Sequence, residues 1–137
     1  MFMVISMGFC NKWLENYGQY HYFLFRVLVG LMFFLHGYGK LFGAKAVTLM
    51  SFMGLAGVLE LLIGLGVLVG FLTRLAAFGG SIVMLVAYFK VHAFTALSPL
   101  ANGGELAVMY FVAFLVLMKY GNGKWNLEQP LLKKETF

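Results

Sequence analysis

The sequence contains no aspartate, one cysteine and two prolines, and only 11% of its 137 residues are charged. Soluble proteins average about 25% charged and roughly 45–50% apolar residues, whereas 62% of this chain is hydrophobic. A short chain exposes a large share of its surface, so a water-soluble fold could not bury so many apolar side chains. The composition excludes a soluble domain and a disordered chain, and it predicts a single integral membrane domain.

Other residue types and motifs that are rare or absent exclude further classes of function. The single cysteine, Cys10, excludes an intrachain disulfide and a Cys-x-x-Cys redox or haem-attachment motif. The net charge is +5, but the basic residues are dispersed and only Lys133 and Lys134 are adjacent, so nucleic-acid binding is not expected. The first ten residues lack a basic region and a small-residue cleavage site, so no cleaved signal peptide is expected.

Long apolar segments are what the chain has in abundance. A helix that crosses the ~30 Å hydrocarbon core needs about 20 largely apolar residues. Residues 20–37, 47–72 and 75–97 approach or exceed this length, and a fourth apolar run covers Leu106–Met118. The fourth run is too short alone and must include polar residues next to it. The predicted fold is therefore an all-α, four-helix transmembrane bundle.

The bundle is predicted to occupy residues 19–121, after a cytoplasmic or interfacial segment (1–18) and before a polar cytoplasmic tail (122–137). Lys and Arg are enriched in cytoplasmic loops of membrane proteins. Four crossings place six basic residues on the side of both termini and three on the opposite side: Lys12, Arg74, Lys119, Lys124, Lys133 and Lys134 against Lys40, Lys45 and Lys90. Both termini are thus expected in the cytoplasm, with the chain in the cell membrane.

Charged groups within a crossing cost at least ~2.5–3.5 kcal/mol each and should face protein. A spacing of three to four residues then predicts four inward stripes: Arg26, Gly30, Phe33, Gly37 and Lys40; Met53, Gly57, Glu60 and Gly64; Arg74, Phe78, Ser81, Leu85, Tyr88 and His92; and Asn102, Glu105, Met109 and Val112. The estimated depths predict a buried ion pair between Arg26 and Glu60. That pair would either serve packing alone or form the polar floor of a site.

Polar residues from separate crossings also gather at the non-cytoplasmic end. The predicted ligand-binding residues are His36, Lys40, Tyr88, His92, Asn102 and Glu105. Imidazole, ammonium and carboxylate groups can donate hydrogen bonds and carry protons, whereas their pattern does not predict a metal site. Asn102-Gly-Gly-Glu105 also fits a capping-box variant at a helix start, which is an alternative structural reading.

Taken in order, these motifs resemble the DoxX family of small four-helix membrane proteins. The resemblance runs over residues 26–128 and consists of Arg26, His36-Gly37-x-x-Lys40-Leu41, Glu60, Gly64, Gly70, Arg74-x-Ala-Ala, His92, Asn102-Gly-Gly-Glu105 and Gly121-x-Gly-x-Trp125-x-Leu127. It implies a subunit or partner of a membrane oxidoreductase, since relatives include the membrane subunit of thiosulfate:quinone oxidoreductase. No dithiol, Fe–S ligand set or nucleotide-binding glycine motif accompanies it.

The leading interpretation is a redox-associated membrane protein that binds a quinone or another lipophilic small molecule in the polar pocket, with electrons supplied by a partner oxidoreductase subunit. One alternative is a non-catalytic scaffold or assembly factor. Another is a carrier of b-type haem held by His36 and His92. A small channel is disfavoured because broken-helix repeats are lacking. Glycine-rich helix faces permit a homo-oligomer without specifying one.

Overall fold

The computed structural model describes residues 2–96 and 98–133, with side chains described from Tyr17 onward; the side chains of Cys10, Lys12 and Lys134 lie outside this range. All regular structure in the described residues is helical, which confirms the all-α class. The six helices are α1 Phe2–Phe42, α2 Phe52–Val69, α3 Thr73–Ala87, α4 Pro99–Asn102, α5 Glu105–Tyr120 and α6 Glu128–Leu132. One π-helical turn, Tyr88–His92, continues α3.

Three helical stretches are long and apolar enough to cross a membrane. They are Tyr17–Phe42, Phe52–Val69 and Thr73–His92, which correspond to the first three predicted crossings. Helix α1 runs through residue 18 without a break, so the predicted segment boundary there is not a change of structure. Helix α5 has 16 residues, or ~24 Å at 1.5 Å per residue, and the fourth crossing stays a prediction.

Glycines bring α1 and α2 into direct backbone contact. A Cβ atom added at Gly30 would collide with the backbone of Leu68, and one at Gly64 would collide with the backbone of Phe34. Such close approach is the usual role of small residues between membrane helices. It also fixes the register of the antiparallel pair, since a Cβ at Gly37 would meet Leu61 in the same way.

The core lies where the packed pair of α3 and α5 faces the packed pair of α1 and α2. The Phe33 ring packs edge-on against Phe114 at 4.8 Å between centroids and at a tilt against Tyr110 at 5.2 Å. Gly80 of α3 accommodates the Phe114 ring, because an added Cβ at Gly80 would lie 2.6 Å from it. A small-residue face on α3 therefore receives large aromatic side chains from α5.

The predicted inward stripes of α1 and α2 match the structure, with Met53 exposed as the exception. On α5 the predicted stripe lies on the wrong face, and of the predicted α3 stripe only Ser81 is buried. The residues that α3 and α5 bury are Thr73, Ala77, Gly80, Ser81 and Met84, and Ala107, Tyr110, Phe114 and Leu117. Lipid and protein interior are similarly apolar, so polarity alone did not reveal the inward face.

The chain after α5 folds back and covers the end of the bundle at which α3 begins. Glu128 is fully buried and accepts hydrogen bonds from Leu72 N at 3.1 Å and from Asn122 Nδ2 at 2.5 Å. Asn122 Oδ1 in turn accepts a hydrogen bond from Thr73 N at 3.1 Å. These carboxylate and amide oxygens satisfy backbone donors at the start of α3. The predicted polar tail therefore includes a packed element of the fold.

Arg26 stabilises the same end of the bundle through hydrogen bonds. Its guanidinium, 1% exposed, donates to Val67 O at 2.7 Å, Leu68 O at 3.0 Å and Trp125 O at 2.5 Å. Two of these oxygens belong to the last turn of α2, where a cation is favoured by the helix dipole. Arg26 thus caps the end of α2 and links α2 to the segment that follows α5.

Candidate functional site

The opposite end of the bundle contains a half-open pocket of about 230 Å³. Residues from α1, α2, α3, the π turn and α5 form its walls. The lining consists of Phe33, His36, Lys40, Glu60, Met84, Ala87, His92, Gly103, Leu106, Ala107 and Tyr110. Of the six predicted ligand-binding residues, His36, Lys40 and His92 line this pocket directly.

An ion pair between Lys40 and Glu60 lies at the inner end of the pocket. Lys40 Nζ and Glu60 Oε1 are 2.5 Å apart, with the lysine side chain 29% exposed and the glutamate side chain 3% exposed. Glu60 Oε2 is buried and has no hydrogen-bond partner among the described residues. A buried carboxylate oxygen that lacks a partner is costly, and this one is available to a ligand that donates a hydrogen bond.

This pairing corrects the predicted ion pair between Arg26 and Glu60. The glycine contacts place Glu60 level with Gly37, whereas Arg26 lies level with Gly70 and bonds to the end of α2. Eleven residues separate Arg26 from Gly37, or ~16 Å along the helix at 1.5 Å per residue. Both charges are buried as predicted, but they belong to opposite ends of the bundle.

Tyr110 is a pocket residue that the sequence analysis missed. It is buried on α5, and its ring packs edge-on against His36 at 5.8 Å between centroids. Tyr110 and Glu60 line the same pocket. No polar stripe on α5 marks this face, but a tyrosine within an apolar run was a usable signal because its hydroxyl needs a partner when buried.

His92 reaches the pocket because of the π turn. The turn is closed by a hydrogen bond from Ala93 N to Tyr88 O at 2.9 Å, five residues apart instead of four. The wider turn rotates His92 toward the face that carries Ala87, which also lines the pocket. Single π turns of this kind occur frequently at functional sites.

Asn102 and Tyr88 do not line the pocket. Asn102 instead forms one hydrogen bond with His92 and another with Tyr88. The carbonyl oxygen of Asn102 lies 3.1 Å from His92 Nδ1, and since a carbonyl only accepts, Nδ1 carries the proton. Asn102 Nδ2 donates to Tyr88 Oη at 3.3 Å and to Ala96 O at 2.8 Å. The tautomer set in this way makes Nε2 of His92 an acceptor.

Glu105 lies outside the pocket, contrary to the prediction. Its side chain is exposed, whereas the next two residues of α5 line the cavity. Asn102 Oδ1 accepts a hydrogen bond from Gly104 N at 2.7 Å, and Gly103 adopts a φ of 70°, so the chain turns between α4 and α5. Asn102 ends α4, the predicted capping box does not form, and Glu105 starts α5 on its outer face.

Within the part of the chain that the structure describes, no group of three or more His, Cys, Asp or Glu side chains is arranged to hold a metal ion. The pocket instead combines an apolar wall with hydrogen-bonding groups from several helices. This arrangement is typical of a site for a small organic molecule.

Comparison with known proteins places the chain in a family. The sequence model of the DoxX family matches residues 21–93. An uncharacterized protein of Haemophilus influenzae is 34% identical over 131 residues, covering 88% of this chain and 98% of the relative. A second uncharacterized protein of that organism is 35% identical over 75 residues, covering 55% of this chain and 49% of the relative. No solved structure matches. The family match over more than half of the chain, together with the first relative, shows that this protein belongs to the DoxX family.

Proposed function

We propose that this protein is a redox-associated membrane subunit that binds a quinone, or a lipophilic molecule of similar chemistry, in the pocket beside Lys40 and Glu60. The observation that carries the proposal is the unpartnered oxygen of Glu60 within a largely apolar cavity. A quinone ring fits an apolar wall, and its carbonyl groups accept hydrogen bonds. The reduced quinol donates hydrogen bonds, so it can use the free carboxylate oxygen.

The pocket offers matching groups for both redox forms. The ammonium of Lys40 donates hydrogen bonds to carbonyl oxygens, and so does the Tyr110 hydroxyl. Glu60 Oε2 and His92 Nε2 accept from the hydroxyls of the quinol. Reduction of a quinone consumes two electrons and two protons, and no residue of the chain is a two-electron centre. The electrons therefore come from a partner oxidoreductase, and this chain supplies the binding site.

We place the protein in the cytoplasmic membrane with four crossings and both termini in the cytoplasm. Lys40 faces Glu60 inside the bundle, so Lys45 and Lys90 are the basic residues that flank the crossings on the outer side. Six basic residues remain on the side of the termini, which strengthens the cytoplasmic assignment. Helix α5, as the fourth crossing, is short, and a locally thinner bilayer accommodates it.

A b-type haem is the second candidate ligand. His36 and His92 both line the pocket, and the Nδ1 hydrogen bond of His92 leaves Nε2 available, as is usual for a metal-ligating histidine. A Soret band in the absorption spectrum of the purified protein would support haem over quinone. Protein that binds neither ligand would support the scaffold alternative.

The proposal predicts that His92→Ala weakens binding of the quinol about threefold to tenfold, because the neutral hydrogen bond that His92 Nε2 accepts from a quinol hydroxyl is lost. Binding is measured by titrating the reduced, decyl-substituted benzoquinol into the detergent-solubilised protein under anaerobic, reducing conditions and following the quenching of tyrosine and tryptophan fluorescence.

His21→Ala is the matched control, since His21 lies exposed on α1 at the closed end of the bundle. The control should bind as the unchanged protein does. Equal affinities for His92→Ala and His21→Ala would argue against the pocket as the quinone site.

A further inference from the structure

A second, apolar cavity of about 550 Å³ adjoins the pocket on the membrane side. It is a groove between α2 and α3, whose walls include Met53, Ala56 and Leu59 of α2 and Ile82 and Val86 of α3. All five side chains are partly exposed: four of them are 39–46% exposed, and Ala56 is half-buried. Their side chains are all apolar, and in a membrane the groove faces the lipid.

The groove and the pocket share a wall. Lys40, Ala87 and His92 line both cavities. The two cavities therefore adjoin at these three residues, of which Ala87 has the smallest side chain. The ion-paired Lys40 lies at this junction, with its polar end at Glu60.

The shape of the groove follows from how α2 and α3 pack. Near the turn that joins them, small residues let the helices touch, since a Cβ at Gly66 would lie 3.5 Å from the Cβ of Ala76. At the other end, Lys90 lies 5.3 Å from the centre of the Phe52 ring and bridges the π turn to the start of α2. The groove is thus bounded at both ends and opens sideways, toward the bilayer.

We infer that the natural ligand carries a long hydrocarbon chain, that its ring occupies the pocket and that its chain lies in the groove between α2 and α3. This inference rests on the proposed function and names the ligand class as a quinone with a hydrocarbon side chain. Entry is lateral, from the bilayer, because the groove that adjoins the pocket is lined by exposed apolar side chains of α2 and α3.

The test compares two ligands that share a ring, a dimethoxy-methylbenzoquinone without a chain and its decyl derivative. Both are titrated into the protein in lipid nanodiscs, with concentrations expressed as mole fractions in the membrane so that partitioning is removed. The chain should tighten binding by about tenfold through its packing in the groove. Ala56→Phe fills the groove and should abolish that advantage while leaving binding of the chainless ring unchanged.

Leu62→Phe is the matched control, because Leu62 is exposed on α2 and lies outside the groove. Val86→Phe fills the groove from α3 and serves if Ala56→Phe does not fold. A decyl chain that ends in a diazirine provides an independent measurement. After irradiation, mass spectrometry should locate its label within residues 52–59 and 82–91.

The outcomes separate the two proposals. If the ring binds equally with and without the chain, or if Ala56→Phe and Leu62→Phe behave alike, the groove is not a chain site and the inference is overturned. Labels scattered over other lipid-facing residues would overturn it as well. If neither ligand binds, the proposed function fails and this inference fails with it.

Discussion

Gly64→Ala is expected to destabilise the protein by about 3 kcal/mol, the upper end of the usual cost of overpacking, since backbone must move. The added methyl group would collide with the backbone of Phe34 and with Gly30 O. Helices α1 and α2 would have to separate, and the alignment of Lys40 with Glu60 would be lost with them. The free energy of unfolding, measured by titrating the detergent-solubilised protein with sodium dodecyl sulfate, provides the test.

Gly39→Ala is the control, and we do not expect it to lower the free energy of unfolding. Gly39 also lies in α1, but an added Cβ there meets nothing within 4 Å. Alanine is favoured over glycine in a helix by up to ~1 kcal/mol, so this variant should be as stable as the original or slightly more stable. Similar losses in both variants would contradict the backbone contact between α1 and α2.

Lys40→Met is expected to destabilise the protein by ~3–5 kcal/mol, because removing one partner leaves a buried charge uncompensated. Replacing both partners, in Lys40→Met with Glu60→Gln, should restore much of the stability, since a buried ion pair contributes little net energy. Unfolding free energies of the single and double variants give the coupling between the two residues. Lys45→Met, in the exposed loop after α1, should change stability little.

The double variant also separates a structural role from a functional one. A pair that serves packing alone can be replaced without loss of binding. We expect instead that the double variant folds but no longer binds the benzoquinone ring, since the Lys40 ammonium donor is gone and the Glu60 carboxylate has become a neutral amide. The corresponding cycle for Arg26 and Glu60 should show no coupling, because residues this far apart act independently.

The sequence was sufficient to predict most of the inward faces of α1 and α2. Arg26, Gly30, Phe33 and Gly37 repeat at helical spacing, and the cost of burying a charge in lipid fixed which face turns inward. The partner of Glu60 was wrong because depth was estimated from predicted crossing ends. The true register depends on which glycines meet across the interface, and a single sequence does not specify that match.

The α3–α5 half was harder to predict for a different physical reason. Phe78 and Leu85 face outward while Ala77 and Met84 face inward, yet a bilayer accepts all of these side chains. The π turn that redirects His92 has no proline or glycine to indicate it. The two glycines before Glu105 allowed either a cap or a turn, and the chain turns.

The closed end was also unforeseen. Glu128 follows a polar, glycine-containing stretch that is typical of a solvated tail, but it is fully buried beneath the start of α3. The signal was present in the unpaired amides that every helix start must satisfy. Which acceptor reaches them depends on the fold of a long-range segment, and local sequence does not determine it.

The most direct test of a lipophilic ligand in the Lys40–Glu60 pocket is native mass spectrometry of the protein released gently from quinone-containing bacterial membranes, with no ligand added. We expect one quinone per chain, identified by its mass and redox spectrum, and its loss from the Lys40→Met, Glu60→Gln double variant. Recovery of the folded protein with no bound quinone, or of equal amounts of quinone on both proteins, would contradict it.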